Sequence, residues 1–476
     1  MQNEIEKITN EILAKITPTK ANRAKMEKLS RELERKVAAA CAELGVKAVV
    51  RLEGSVAKDT WLSEEPDVDV FMRLPTTIPR NSLGEISLKI AKKATEGSEQ
   101  IERFAEHPYL EAFVDKTRVN IVPCYDTKIG EWLSATDRTP FHTDYINKHL
   151  SKNMHREVRL LKKFMKGINV YGAEIKVGGF SGYLCELLIL HYRSFAETVK
   201  AFAAHVPRRV IDIEGCYEQR HRELELLFPE LLVIIDPVDM GRNVASAVQP
   251  QKLHMFVGAV RVFLKTPSTE FFYPPKTRAL NPKKLKAKLD KGDSALVFLT
   301  LGGINAVPDV LWGQLYKTRR SLGKLLELSD FKVLRDAVWS DHDGASIVFL
   351  FELDQRMLPC AKKHLGPPLE HEKECESFLT KYLCNGDVVA GPYIDEGRWV
   401  VELKRKFTDA VELLRTKMVG GGRDVGVAEL MAKALRIDFK VLFNSEVLDM
   451  YVGSEGFAEF LTTFLSGKPF WLKHSN

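Results

Sequence analysis

Long apolar runs are missing from this chain. No stretch of its 476 residues approaches the roughly 20 consecutive apolar residues that cross a bilayer, so no membrane partner is expected. The N-terminal segment is charged from Glu4 onward and has no apolar core of a secretory leader. Cysteine is scarce and scattered. Cys41, Cys124, Cys185, Cys216, Cys360, Cys375 and Cys384 share no short paired spacing, which argues against a zinc site and suits a reducing, cytoplasmic location. A strong excess of one charge is also lacking, since the net charge is only +6. Internal repeats and low-complexity tracts are absent, which sets solenoids and tail-like segments aside.

What is present is enough apolar material, 45% of residues, for a sizeable core, in a length that suits two to four domains. Apolar spacing predicts two helices in residues 1–45, separated at Pro18. Residues 46–74 read as strand, turn, helix start and strand. Residues 82–103 read as largely helical, and Ala112 to Tyr125 as one extended run. The stretch Asp137-Arg138-Thr139-Pro140-Phe141-His142 reads as a polar loop, followed by a helix from Asn153 to Ile168. Ser181 is placed to cap a helix whose buried face carries Leu184, Leu187 and Leu188. Leu231 to Ile235 reads as a buried strand ahead of a turn-rich loop, and a domain boundary is expected near residue 250. Beyond it, strands and helices alternate in the pattern of a small α/β sandwich. Lys276 to Lys291 gathers Lys276, Arg278, Lys283, Lys284, Lys286, Lys288 and Lys291 against one acid, Asp290. Such a patch can track a nucleic-acid backbone, although a solvated helix face looks the same in sequence.

One stretch carries chemistry. Gly54-Ser55 makes a small-residue turn after the apolar run Val46 to Leu52, and backbone N–H groups there can approach a phosphate closely. Lys58, about one helical turn after Ser55, can aim at the same phosphate. Asp67-Val68-Asp69-Val70 alternates as a strand, with both carboxylates on one face. Two adjacent carboxylates repel unless a cation lies between them, and Mg²⁺ prefers hard oxygen ligands shared with substrate phosphates. Metal-assisted nucleotidyl transfer is the first reading. Arg118, Asn120 and Val122 alternate on one face of a later strand, where a third polar group would complete the site. Lys162 flanks the apolar stripe of its helix and can reach a cleft.

These residues resemble a known family. Gly54-Ser55 with Asp67-x-Asp69 is the signature of the DNA polymerase beta-like nucleotidyltransferase superfamily. Ile121-Val122-Pro123-Cys124-Tyr125, Asp137 to His142, Gly179 to Leu188, and Asp236-Pro237-Val238-Asp239 with Arg242-Asn243-Val244-Ala245 are more specific. In this order they resemble the archaeal, class I CCA-adding enzymes, from about residue 20 to the C-terminus and more weakly after 330. The resemblance implies an α+β multidomain protein: a nucleotidyltransferase mixed-sheet head (1–150), a helical, nucleotide-selecting neck (151–255), an α/β RNA-binding body (256–395) and an α/β tail (396–476). It implies stepwise addition of C, C and A to the 3′ end of tRNA from CTP and ATP, without a nucleic-acid template. It further implies recognition of the acceptor stem and TΨC arm, and a homodimer.

The resemblance also assigns roles. Asp67 and Asp69 match the Mg²⁺-binding carboxylates; Asp67 stands where Glu is more common. Gly54, Ser55 and Lys58 match nucleotide contacts, with Lys58 where Arg is common, which keeps the charge and loses the bidentate fork. His142, Lys162 and Tyr171 match further triphosphate or sugar contacts, and Arg242 matches the base-selecting arginine. Asn120 is a departure. It stands where the family carries Asp as third metal ligand and activator of the tRNA 3′-hydroxyl, so it is expected to leave nucleotide binding intact and slow turnover. Two other readings stay open: a poly(A)-polymerase-like RNA nucleotidyltransferase, and a tRNA-binding protein with an impaired active site.

Overall fold

A computed structural model describes residues 2–104, 107–204, 206–292, 294–341 and 344–472. The chain forms two compact units, Met1–Pro275 with Pro469–Asn476, and Lys276–Lys468. Among the described residues no helix is long and apolar enough to cross a membrane.

The first unit opens with helices α1 (Gln2–Ile16) and α2 (Lys20–Glu43). Thr19 starts α2 by accepting a hydrogen bond from the Asn22 amide, a capping box that satisfies donors left open at a helix start. A five-stranded mixed sheet follows: β1 (Val49–Glu53), β2 (Asp67–Leu74), β3 (Glu99–Phe104), β4 (Pro108–Val114) and β5 (Thr117–Tyr125), in spatial order β1-β2-β5-β4-β3. Only β2 and β5 are parallel. A single helical turn, α3 (Gly54–Ala57), joins β1 toward β2, and α4 (Arg80–Ala94) connects β2 to β3. The alternation of β2 is decisive. Val68 and Val70 are fully buried against α2 and α4, each worth roughly 1.5–3 kcal/mol, and this fixes Asp67 and Asp69 on the opposite face.

Three expectations change here. Residues 99–104 are a strand, not helix, because α4 ends at Ala94 and Gly97 reverses the chain at φ +84°. The run from Ala112 to Tyr125 is a hairpin, turned at Asp115 and Lys116 with φ of 49° and 62°. The expected polar loop around His142 is largely helical, with α5 (Thr139–His149) started by Pro140.

The rest of this unit is mainly helical: α6 (Lys152–Gly167), α7 (Gly182–Tyr192), α8 (Phe195–Ala203), α9 (His221–Leu227) and α10 (Pro250–Lys265). Ser181 caps α7 as expected, accepting from the Leu184 amide. Phe164 is the centre of its core, ringed by Phe195, Phe256, Phe263, Phe271 and Phe272 at centroid distances of 5.2–6.2 Å. A small sheet, β6 (Arg209–Ile211), β7 (Leu232–Asp236) and β8 (Asp239–Asn243), stands on this core. β7 is wholly buried, and β7 and β8 form a tight hairpin where a loop was expected.

The second unit holds a four-stranded antiparallel sheet of β9 (Ala295–Leu301), β10 (Val333–Ser340), β11 (Ile347–Leu353) and β15 (Lys440–Phe443). Helices cover both of its faces. A separate three-stranded sheet, β12 (Ala361–Pro368), β13 (Val388–Asp395) and β14 (Arg398–Lys404), carries its own helix, Glu372–Tyr382. Two expected boundaries therefore move. Residue 255/256 falls inside α10, and 395/396 splits the β13–β14 hairpin. The small sheet is inserted in the chain of the larger one, because β15 returns to pair with β9.

Candidate active site

The parallel pairing of β2 with β5 sets Asp67 beside Arg118 and Asp69 beside Asn120. The Asn120 amide nitrogen donates to Asp69 Oδ1 at 2.8 Å, and Arg118 donates from Nε to Asp67 Oδ1 at 2.9 Å and from Nη2 to Oδ2. Burial pushes the Asp69 carboxyl up to about 6; the Asn120 bond opposes that rise and the Asp67 charge adds to it. Gly54 explains itself here. Its φ is +69°, and a Cβ would lie 2.0 Å from Asp69 Oδ2, so only glycine lets the turn close over that carboxylate. On the other side of β2, Glu53 stands opposite Asp69 with no exposed surface. Arg51 Nε lies 3.1 Å from Glu53 Oε1, but neither carboxyl oxygen makes a well-aligned hydrogen bond among the described residues. Burial raises this carboxyl to about 7.

The two lysines singled out in the sequence meet on one buried acid. Glu186, on α7, accepts from Lys58 Nζ at 2.6 Å, Lys162 Nζ at 3.2 Å and Thr60 Oγ1 at 2.5 Å. Burial alone would raise the Glu186 carboxyl, but the Lys58 and Lys162 charges overcome it and hold it at about 2. Burial lowers the pKa of Lys162 despite the opposing pull of Glu186. Tyr171 reaches the same place: a Cβ on Gly182 would lie 3.0 Å from its hydroxyl and 3.5 Å from Lys162 Nζ. Ser55 belongs to the turn that leads to Lys58, its carbonyl accepting from the Thr60 amide at 2.9 Å.

A third cluster is built on Asp236, at the end of β7. Its buried carboxylate accepts from Arg242 Nη1 at 2.7 Å and from the Tyr183 hydroxyl at 3.1 Å, and pairs with His142 Nε2 at 2.8 Å. The His142 ring stacks on Tyr183 at 4.0 Å, and Lys58 Nζ stands 5.6 Å over that tyrosine, which links this cluster to the lysine pair. Desolvation lowers the His142 pKa, opposed by Asp236. The Asp137 to His142 stretch is the brace. Asp137 is buried and accepts from the amides of Tyr125, Leu133 and Ser134 at 2.7–2.8 Å, while Arg138 grips Asp239 at 2.6 Å.

All ten residues singled out therefore fall into three linked clusters of the first unit. Sequence reasoning missed Glu186, the central acid, although a carboxylate amid Leu184, Cys185, Leu187 and Leu188 was a visible signal. It also gave no role to Asp236, Tyr183, Thr60, Glu53 or Glu111. Asp67 and Asp69 are hard oxygen donors on one face with an amide oxygen-bearing side chain beside them, a donor set that fits a small divalent cation.

A mixed sheet presenting two carboxylates of one strand beside a glycine turn and a lysine pair defines the class as a nucleotidyltransferase. Comparison with known proteins agrees: residues 34–144 match the nucleotidyltransferase domain, 156–273 the second domain of tRNA nucleotidyltransferase, and 294–444 the C-terminal domain of the CCA-adding enzyme. The CCA-adding enzyme of Methanosarcina acetivorans is 37% identical over 439 residues, covering 92% of this chain and 93% of that protein. That of Halobacterium salinarum is 34% identical over 449 residues, covering 91% and 96%. The solved structure of Cid1 poly(U) polymerase with 3′-dATP aligns at a TM-score of 0.45 and 15% identity, over 58% of this chain and 97% of that one. The chain belongs to the CCA-adding enzyme family, and its activity is CCA addition to tRNA by nucleotidyl transfer.

Proposed function

We propose that this enzyme adds C, C and A in turn to the tRNA 3′ end from CTP and ATP, with no nucleic-acid template, at the site built on Asp67, Asp69 and Glu186. The observation that carries this reading is the presence in one unit of two β2 carboxylates on one face and, after the glycine turn that meets Asp69, two lysines preassembled on one buried acid. Ser55, Lys58, Lys162 and Tyr171 bind and orient the triphosphate. Asp67 and Asp69, with the Asn120 amide, hold Mg²⁺, which when bound neutralises charge on the phosphates. The tRNA 3′-hydroxyl attacks the α-phosphorus in line and pyrophosphate leaves. The protein's contribution is positioning and charge stabilisation. Arg242, pinned by Asp236, presents its remaining donors to the base and helps select C or A.

The parts of the chain divide the work. Residues 34–144 carry the carboxylates, and 156–273 the selecting arginine. The second unit offers a basic surface for the acceptor stem and TΨC arm. Its helix Pro282–Asp290 buries Leu285 and Leu289 and leaves Lys283, Lys284, Lys286 and Lys288 exposed. A homodimer in a reducing cytoplasm completes the reading.

The test is incorporation into tRNA ending at the discriminator base, with CTP, ATP and Mg²⁺, followed by sequencing of product ends. Products ending in C, CC and CCA are expected. Open-ended A tails would replace this reading with a poly(A)-polymerase-like one. The Asn120 nitrogen, turned toward Asp69 as a donor, favours one second reading, a tRNA-binding protein with an impaired site. Tight tRNA binding with no incorporation at any Mg²⁺ or Mn²⁺ concentration would establish it.

A further inference from the structure

The face of the sheet that carries the carboxylates is also crossed by a row of alternating charges. Because β5 is flanked by β2 and β4, Asp69, Asn120 and Glu111 stand side by side, and Asp67 and Arg118 stand one step along. Arg118 engages both oxygens of Asp67 through Nε and Nη2. Its remaining nitrogen, Nη1, lies 4.0 Å from Glu111 Oε2, the diagonal neighbour on β4. Glu111 is nearly fully buried, and Arg103 holds its other oxygen at 2.7 Å. One guanidinium thus bridges two carboxylates, of which only Asp67 belongs to the proposed metal site. A cation and the Arg118 fork compete for the same two oxygens of Asp67.

We propose that Arg118 is a positioning residue that acts as the built-in counter-ion of Asp67. It occupies that carboxylate until a divalent cation and nucleotide arrive, and then transfers its fork to Glu111, which waits 4.0 Å away. Asp67 and Glu111 are two stops for one charge. The exchange leaves no guanidinium unpaired and no carboxylate stripped, so little is lost as the metal enters. Its cost is a weaker grip on the cation alone, which couples metal occupancy to the nucleotide that brings phosphate oxygens with it. Arg118 is half exposed, with room to move, whereas Glu111 is fixed by Arg103. The proposal rests on the reading of Asp67 and Asp69 as metal ligands.

The test titrates Mn²⁺ into the full-length protein without nucleotide and follows free Mn²⁺ by its paramagnetic resonance signal. R118Q is expected to bind Mn²⁺ roughly three- to tenfold more tightly than wild type, and R118K, which keeps the charge without the fork, to fall between. E111Q is expected to weaken binding severalfold when Arg118 is present and to change nothing in the R118Q background, because it removes only the second stop. If D69N abolishes binding while R118Q, R118K and wild type bind alike, the counter-ion role is refuted and the metal site stands. If D69N binds as well as wild type, the metal site itself is misassigned and the proposal falls with it.

Discussion

Glu186→Gln separates a site held together by charge from one held together by shape. The amide matches the carboxylate in size, so packing is preserved. What is lost is the buried anion that pairs, among the described residues, with Lys58 Nζ at 2.6 Å and Lys162 Nζ at 3.2 Å. Two routes give the magnitude. The carboxyl is held at about 2 instead of 4.5, which corresponds to roughly 3 kcal/mol in favour of the ion pair. Removing one partner of a buried pair ordinarily costs about 3–5 kcal/mol. In a unit of this size that is a fall in melting temperature of roughly 6–12 °C. A bound triphosphate returns negative charge to the lysines, so saturating CTP should raise the melting temperature of E186Q by more than it raises wild type. The sign with pH follows from the depressed pKa. The stabilisation is complete above about 4.5, the unfolded value, and is lost as pH falls toward 2, so wild type and E186Q should converge in acid. Thermal melts with and without CTP, at neutral and acidic pH, measure all of this. If E186Q melts within about 1 °C of wild type and gains nothing extra from CTP, the lysines are not assembled on Glu186 by charge and the reasoning fails.

Glu53→Gln should act in the opposite direction. A buried acid raised to about 7 stays protonated after its unfolded counterpart has ionised, so folding loses stability between pH 4.5 and 7; the amide should stabilise by up to about 3 kcal/mol at pH 8 and by nothing at pH 4, read by denaturant titration. Gly54→Ala places a Cβ 2.0 Å from Asp69 Oδ2 at φ +69°, and should cut turnover by roughly a hundredfold or more through displacement of that carboxylate, with about 1–2 kcal/mol of lost stability. Retained turnover in that variant would show that the turn does not position Asp69. Asn120→Asp should raise turnover by about tenfold or more with nucleotide affinity unchanged, because it supplies a proton acceptor where only an amide stands. The same change replaces the 2.8 Å donor to Asp69 by a like charge, so the metal-free melting temperature should fall and Mn²⁺ should restore it.

Local patterns carried a large share of this protein. The strict alternation of Asp67-Val68-Asp69-Val70 determined which face of β2 is polar, since a strand has only two faces and the valines need the buried one. Ser181 marked a helix start by chemistry that acts within one turn, whereas Pro140, read as part of a polar loop, proved to start one. Motif order along the chain was enough to reach the family. The sequence did not show that residues 99–104 leave the helix, because a positive-φ glycine and a waiting sheet edge outweighed an ambiguous apolar spacing. Nor did it show that the small sheet of residues 361–404 is an insertion, since that depends on β15 returning to β9 from well over a hundred residues away.

The site divides in the same way. Which residues carry charge is written in the chain, but which charges meet is decided by pairings remote in sequence. Lys58 and Glu186 touch across 128 residues, His142 and Asp236 across 94, and Arg118 and Asp67 across 51. A carboxylate between leucines announces only that something must neutralise it, because burying an unpaired ion is too costly. That the neutralising partners are the two lysines of the proposed nucleotide site follows from α6 and α7 packing side by side and meeting the segment that carries Lys58 and Thr60, and no local pattern encodes it.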